Sequence, residues 1–361
     1  MRRRSFLLAS GALAGCQGVP NGAPPAAPTS ARSGPRMPAG PLQRIAFGSC
    51  IDQTQPQPIW RALRAQHPDL MLFCGDNVYA SEQPWQRSRL DAAYAQLAAN
   101  ADFAALRREV PALAIWDDHD YGLNDGGAEF SFKASSKAAF LDFWQVPSDS
   151  DRRFRDGLYM AQSIGPEGRR VQVILLDTRW FRSPLKRSPK PGAPGMERYL
   201  PDPDPSKTML GPNQWRWLER RLSEQADVRV LVSSIQVLAE GHGWERWGNL
   251  PLERQRLFDT LARTRANGVV VVSGDRHIGG IYREAAGLPY ALTEVTSSGI
   301  THVAANNREA GPNRIGAPVT ELHFGLIDID WAARALTLSL RGLGGPVLRE
   351  QRVALDALRA G

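Results

Sequence analysis

Cysteine is scarce: Cys16, Cys50 and Cys74 are the only three in 361 residues. None belongs to a CxxCH run, so a redox protein built on this chain would lack its electron-transfer motif. The apolar run at the N-terminus, Phe6 to Leu13, is too short to span a bilayer as a stable anchor. No internal repeat is visible. Charge of one sign is not in large excess either. The formal net charge is +7, and loss of Arg2, Arg3 and Arg4 would lower it to +4. A balance that small does not make a nucleic-acid binder; it favours anionic substrates and anionic lipid surfaces. With 42% hydrophobic and 22% charged residues, the chain is ordinary globular material, enough for one large α/β domain or two smaller ones.

The first sixteen residues read as an address. Arg3-Arg4-Ser5-Phe6-Leu7 resembles a twin-arginine export signal, and Leu13-Ala14-Gly15-Cys16 resembles a bacterial lipobox in which Cys16 is lipidated. The alternative is an ordinary cleaved secretory signal with a chance cysteine. The lipobox reading implies several acyl chains, enough for stable anchoring. Gln17, not Asp, follows Cys16, so in a two-membrane bacterium the expected location is the outer membrane, at its periplasmic face or the cell surface. Residues 17–41, rich in Pro, Ala, Gly and Ser, read as a flexible tether. The folded domain is expected over 42–361.

Within it, short apolar runs recur: Arg44 to Cys50, Leu70 to Cys74, Ala112 to Trp116, Val171 to Leu176, Val228 to Ser233 and Val269 to Val272. Their length and their Val, Ile and Leu content are those of buried strands. Helical patterns lie between several of them, at Pro58 to Gln66, Leu90 to Leu106, Pro212 to Gln225 and Leu252 to Ala266. Alternating strand and helix predicts a layered α/β fold. The tail runs Ala291 to Thr296, Glu321 to Trp331 and Ala335 to Arg341 suggest antiparallel strands finishing the sheets. Arg182 to Ser206, crowded with Pro, Lys and Arg, reads as a long surface loop, and such loops are often functional rims.

Polar residues collect just after the strands: Gly48-Ser49-Cys50, Gly75-Asp76-Asn77-Val78-Tyr79, Asp117-Asp118-His119-Asp120, Asp177-Thr178-Arg179, Gln236, and Ser273-Gly274-Asp275-Arg276-His277. Loops at the carboxyl ends of α/β strands converge, and ligands bind there. Carboxylates gathered so closely repel one another unless cations neutralise them, which points to metal. Cys50 and Cys74 each lie near a strand end, so a disulfide between them is the rival to Cys50 as a metal ligand.

The motifs FGSC, GDNVY, WDDHD, LDTR and SGDRH, in this order and spacing, resemble the alkaline phosphatase D (PhoD-like) family of calcineurin-like metallophosphoesterases. The resemblance runs from Arg44 to Gly299 and includes WGNLPLERQRL at Trp247 to Leu257. It implies a four-layer α-β-β-α sandwich of two mixed sheets. It also implies a ferric iron (Fe3+) held by Cys50, Asp76, Tyr79 and His277, with Asp76 bridging to a second, oxygen-rich calcium site at Asp118 and Asp275. Asp52, Asn77 and Gln236 are weaker candidates for ligands or supporting groups. Attack of a metal-bound hydroxide on phosphorus is the implied mechanism. His119 would serve the leaving oxygen and Arg179 a phosphate oxygen, unless Arg179 only pairs with Asp177. Asp117 and Asp120 are expected to support the loop rather than bind metal. His67, His242, His302 and His323 are expected to be structural or on the surface, with His242 the one placed to line the pocket.

The expected protein is an exported, metal-dependent hydrolase of phosphate esters, an alkaline phosphatase or phosphodiesterase. Its partners would be small phosphate esters or phospholipid headgroups, and the membrane through its lipid; no specific nucleic acid is expected, and the chain should be monomeric. A phospholipase-type diesterase and a non-catalytic envelope lipoprotein are the alternatives.

Overall fold

The computed structural model describes residues 35–307 and 309–360. The export signal, Cys16 and most of the tether therefore lie outside the described residues. Met37 lies against the core, and Leu42 is fully buried.

Among the described residues, twelve strands form two mixed six-stranded sheets. β1 (Arg44–Gly48), β2 (Leu70–Cys74) and β3 (Ala112–Ile115) are parallel; β10 (His323–Asp330), β11 (Ala335–Gly342) and β12 (Val347–Ala354) complete that sheet antiparallel, in the order β12-β11-β10-β1-β2-β3. The second sheet runs β4 (Met160–Ile164), β5 (Val171–Leu175), β6 (Val228–Val232), β7 (Val269–Ser273), β9 (Leu292–Ser297), β8 (Gly279–Glu284). In it β5, β6, β7 and β9 are parallel, and the outer strands β4 and β8 are antiparallel to their neighbours.

The strand period of two sorts the second sheet into its two faces. Val171, Val173 and Leu175 pack into the core shared with the first sheet, together with Phe47. Ile174 and Leu176 point the other way, into a separate cluster with Trp215, Leu218, Leu257 and Leu261 from the helices Gly211–Leu222 and Pro251–Arg263. On the far side of the first sheet, Trp60, Phe73, Phe103 and Trp144 interlock with ring centroids 4.8–6.2 Å apart. Helix, sheet, sheet, helix is the four-layer sandwich.

Two expectations about elements change. The helical pattern Leu90 to Leu106 is two helices, Arg87–Ala99 and Ala101–Glu109. Asn100 breaks them apart: its backbone is extended and its side chain accepts from the N–H groups of Asp102 and Phe103, starting a new helix. The strand at Ala291 to Thr296 is not part of an antiparallel tail. As β9 it is parallel to β7, so its carboxyl end opens on the same edge as those of β1, β2, β3 and β7.

Candidate metal centre

Four residues of the strand-end loops hold left-handed backbone without being glycine: Cys50 (φ 64°), Asp76 (φ 46°), Asp275 (φ 70°) and His277 (φ 53°). Each such conformation is unfavourable for an L-residue, and concentrations of them mark places where the surroundings force a side chain into position. Gly75 shows how tight the convergence is. Its φ is 110°, and a Cβ there would lie 2.5 Å from the Asp117 Cβ and 3.0 Å from that of Ser234. Only glycine lets the β2 loop pass between the β3 and β6 loops.

The loops bring together Cys50, Asp76, Asp118, His119, Asp275 and His277, with Tyr79 among them. Three interlocking groups of donor atoms lie within 4.8 Å of one another: Cys50, Asp76 and His277; Asp76, Asp118 and His119; Asp117, Asp118 and Asp275. Asp76 belongs to the first two and Asp118 to the last two. The Cys50 Sγ is 3.5 Å from Asp76 Oδ2 and 2.9 Å from Ser298 Oγ. The Tyr79 hydroxyl is 3.3 Å from Asp76 Oδ2 and 3.0 Å from His277 Nε2. A fourth group, Asp125, Glu245 and Asp275, adjoins the third through Asp275. His119 stacks against Tyr79 with ring centroids 4.1 Å apart, and its Nδ1 lies 2.8 Å from Ser81 Oγ.

The electrostatics of this arrangement call for cations. Burial, then the neighbouring charges of Asp118 and Cys50, push the Asp76 carboxyl well above the usual range. Burial, then Asp117, does the same to Asp275. Burial raises the Cys50 thiol to about 11 and the Tyr79 phenol well above its ordinary value, while it lowers His277 to about 3 and His302 below its ordinary value. A bound metal ion works against these shifts, because its charge takes the place of protons. Oxygen atoms are ready for one: Asp118 Oδ1, Asp117 Oδ2 and Asn77 Oδ1 are buried with no hydrogen-bond partner among the described residues. The donor set therefore fits metal, with a sulfur, phenol and imidazole end and an all-oxygen end.

Asp76, Asp118, His119, Asp275 and His277 line an open cavity of ≈ 820 Å³. Its walls carry Gly192, Glu197 and Arg198 from the long loop, Trp244, and Arg276. Arg198 pairs with Asp125 and Arg276 with Glu309, and both guanidinium groups lie over Trp244, 5.5 and 5.0 Å from its ring centroid.

Several sequence expectations need correction. Arg179 does not reach the cavity. It is fully buried, with Nε 2.5 Å from Asp117 Oδ1 and an Nη 2.6 Å from Glu245 Oε2; it does not pair with Asp177, whose Oδ1 instead accepts the Arg179 backbone N–H. Gln236 spends its whole amide behind the site, donating to Tyr282 and Thr296 and accepting at Oε1 from His242. His242 is buried there and does not line the cavity. The Asp52 carboxylate closes its own turn on Thr54. Asn77 donates to the Ile115 carbonyl and Asp120, a supporting place that leaves only its Oδ1 open. Asp120 accepts from Asn77, Tyr94 and the Asp117 N–H, as a loop-former does. The sequence places His302 as structural or on the surface, yet its Nε2 lies 3.2 Å from both the Tyr79 hydroxyl and His277 Nε2. Asp125 and Glu245 carried no sequence signal.

Both cysteines of the folded domain are free. Cys74 faces the core, with Sγ 3.8 Å from the Leu72 carbonyl. The two thiols should therefore respond differently to mutation. Cys50→Ala should lose metal and at least about tenfold in activity, whereas Cys74→Ala should keep both and lose about 1 kcal/mol or so of stability. Equal behaviour of the two variants, or a bridged peptide in non-reduced mass mapping, would point to the disulfide instead.

A family model described as PhoD-like phosphatase matches residues 45–318. The alkaline phosphatase D of Bacillus subtilis (strain 168) is 24% identical over 280 residues, which cover 66% of this chain and 46% of that protein. The chain thus spans less than half the length of this relative. Among solved structures, one titled as the structure of PhoD superposes with a TM-score of 0.66 at 18% identity, covering 88% of this chain and 69% of the other. A purple acid phosphatase from yellow lupin (Lupinus luteus) seeds superposes with a TM-score of 0.58 at 12% identity, covering 88% and 55%. These two likenesses establish the fold.

Proposed function

Because the chain belongs to the PhoD-like phosphatase family, we propose that it hydrolyses phosphate esters at the metal centre built around Asp76. One observation carries this reading: Asp76 is shared between a sulfur- and nitrogen-containing donor group and an oxygen-rich one, on the wall of an open cavity. Cys50, Asp76, Tyr79 and His277 would hold an iron-type ion, and Asp76, Asp118 and Asp275 a calcium-type ion. When bound, the metals would supply Lewis-acid charge for the phosphoryl oxygens and acidify a water molecule.

The chain's own residues do the rest. His119 has its Nδ1 engaged with Ser81, which leaves Nε2 to protonate or orient the leaving oxygen. Arg179 holds Asp117 from behind and keeps the β3 loop in place. Arg198 and Arg276 put positive charge on the cavity wall, where it favours an anionic substrate. The substrate class is small phosphate esters or phospholipid headgroups.

The purified protein should contain a transition metal, bind calcium, and hydrolyse a chromogenic phosphate monoester or diester. Chelation should remove that activity, and metal should restore it. Full activity after exhaustive metal removal would end the proposal; metal binding without hydrolysis of either ester would favour a non-catalytic lipoprotein.

Location belongs to the proposal as well, and its support is the sequence of residues 1–16. Wild-type protein should fractionate with membranes through a lipid on Cys16, and Cys16→Ala should release it. A soluble wild-type protein whose N-terminus lies beyond residue 16 without lipid would remove the anchor from the account.

A further inference from the structure

His302 lies on the loop that follows β9. Thr301 pins that loop to the loop after β1. The Thr301 hydroxyl donates to the Cys50 carbonyl at 3.0 Å and accepts the Asp52 N–H at 2.8 Å. The Thr301 N–H also points to the Cys50 carbonyl, at 3.4 Å. This arrangement favours one imidazole tautomer. Thr301 has a single hydroxyl proton; when it is given to Cys50, the Thr301 oxygen, 3.0 Å from His302 Nδ1, accepts the Nδ1 hydrogen. The lone pair of a neutral His302 is then on Nε2.

That nitrogen is aimed at the metal centre. Tyr79 Oη, His277 Nε2 and His302 Nε2 form a triangle with sides of 3.0, 3.2 and 3.2 Å. Donors at right angles around an ion with bonds of 2.0–2.1 Å sit about 3 Å apart. Two imidazole nitrogens facing each other and a phenol at this distance match one face of a coordination shell. The Nδ1–H of His302 is held by an oxygen acceptor, as is usual for a ligating histidine.

We propose that His302 is a ligand to the same metal ion as Tyr79 and His277. The inference rests on the metal-centre reading given above and adds a second imidazole to it. The ion then has a phenol, two imidazoles, a thiol and a bridging carboxylate within reach, all anchored on four separate strand ends. The link Asp52–Thr301–Cys50 makes the β9 loop part of the site, so His302 is preorganised rather than recruited.

The test is X-ray absorption at the edge of whichever transition metal the purified wild-type protein holds. Multiple scattering from two imidazoles is expected in the wild type and from one in His302→Ala. In chelator competition His302→Ala should bind the metal at least about tenfold more weakly. His302→Phe keeps the ring volume and removes the donor, and it should match His302→Ala, with circular dichroism confirming the fold of both. The wild-type spectrum stands on its own should either variant fail to fold. Wild-type protein with metal and a single imidazole shell overturns the assignment of His302 while leaving the metal centre intact. Unchanged metal affinity in both folded variants does the same. Wild-type protein that holds no metal removes the underlying reading, and this inference with it.

Discussion

Replacing Asp76 with asparagine should lower phosphate-ester hydrolysis by about 10²–10³-fold, an effect of the size seen when a preorganised charge-stabilising group is removed from an active site. The reason is topological as much as chemical. Asp76 is the one residue common to the Cys50–His277 group and the Asp118–His119 group, so its loss disconnects the two metal positions. The protein should nevertheless fold. Asn matches Asp in size and is among the few residues that accept the left-handed backbone found here (φ 46°). Its amide oxygen can still accept the His119 N–H, which Asp76 Oδ1 accepts at 3.2 Å. The substitution also removes one member of a buried acidic cluster whose carboxyl is pushed well above its usual range, first by burial and then by Asp118. Metal-free Asp76→Asn protein should therefore melt no lower than metal-free wild type, while its stabilisation by added metal shrinks. Elemental analysis, thermal melts with and without metal, and turnover of a chromogenic ester check all three. Wild-type turnover with full metal loading would remove Asp76 from the centre of the site.

How far the sequence could be read follows from where each residue sits in the sheets. Strands buried on both faces are continuous apolar runs, and β1, β2, β3, β5, β6 and β7 were legible as such. The strands that went unread were β4, β8 and β12, and all three are sheet edges. β12 shows why: its exposed and partly covered positions alternate through Arg349, Glu350 and Arg352, so no apolar run marks it. Such charges on an edge strand discourage pairing with other chains. The site residues that follow parallel strands were legible for the same reason as the strands. His302 was not, because the run at Ala291 to Thr296 read as part of an antiparallel tail. Once β9 is parallel to β7, Thr301 and His302 follow a strand end like every other member of the site. Arg179 failed differently. Its place after β5 is that of an active-site residue, and nothing in the order of residues reveals Glu245, far along the chain, as its partner.

That partnership predicts the largest loss of stability. Arg179→Ala should destabilise the fold by about 3–5 kcal/mol, the range for removing one member of a buried ion pair. The guanidinium is fully buried between Asp117 and Glu245, donates to the Gly126 carbonyl at 3.3 Å, and comes within 4.0 Å of Asp118. Alanine leaves two buried carboxylates with less charge to face; Arg182, 3.0 Å from Glu245, compensates only one of them. Arg179→Lys keeps the charge but cannot reach both acids with a planar fork, so it should fall between. The loss should depend on pH. Glu245 already sits at about 7, raised by burial against the pull of Arg179 and Arg182. A carboxyl with a raised folded-state pKa contributes stability below its unfolded value, and that stability is lost as pH rises through the folded value. Removing Arg179 raises Asp117 and Glu245 further, so the deficit of Arg179→Ala should be small near pH 4.5 and widen as pH rises past 7. Urea melts of metal-free wild type and variant at pH 4.5, 6 and 8 measure it. A deficit under about 1 kcal/mol at every pH, accompanied by a fall in kcat, would instead make Arg179 a residue that acts on the substrate.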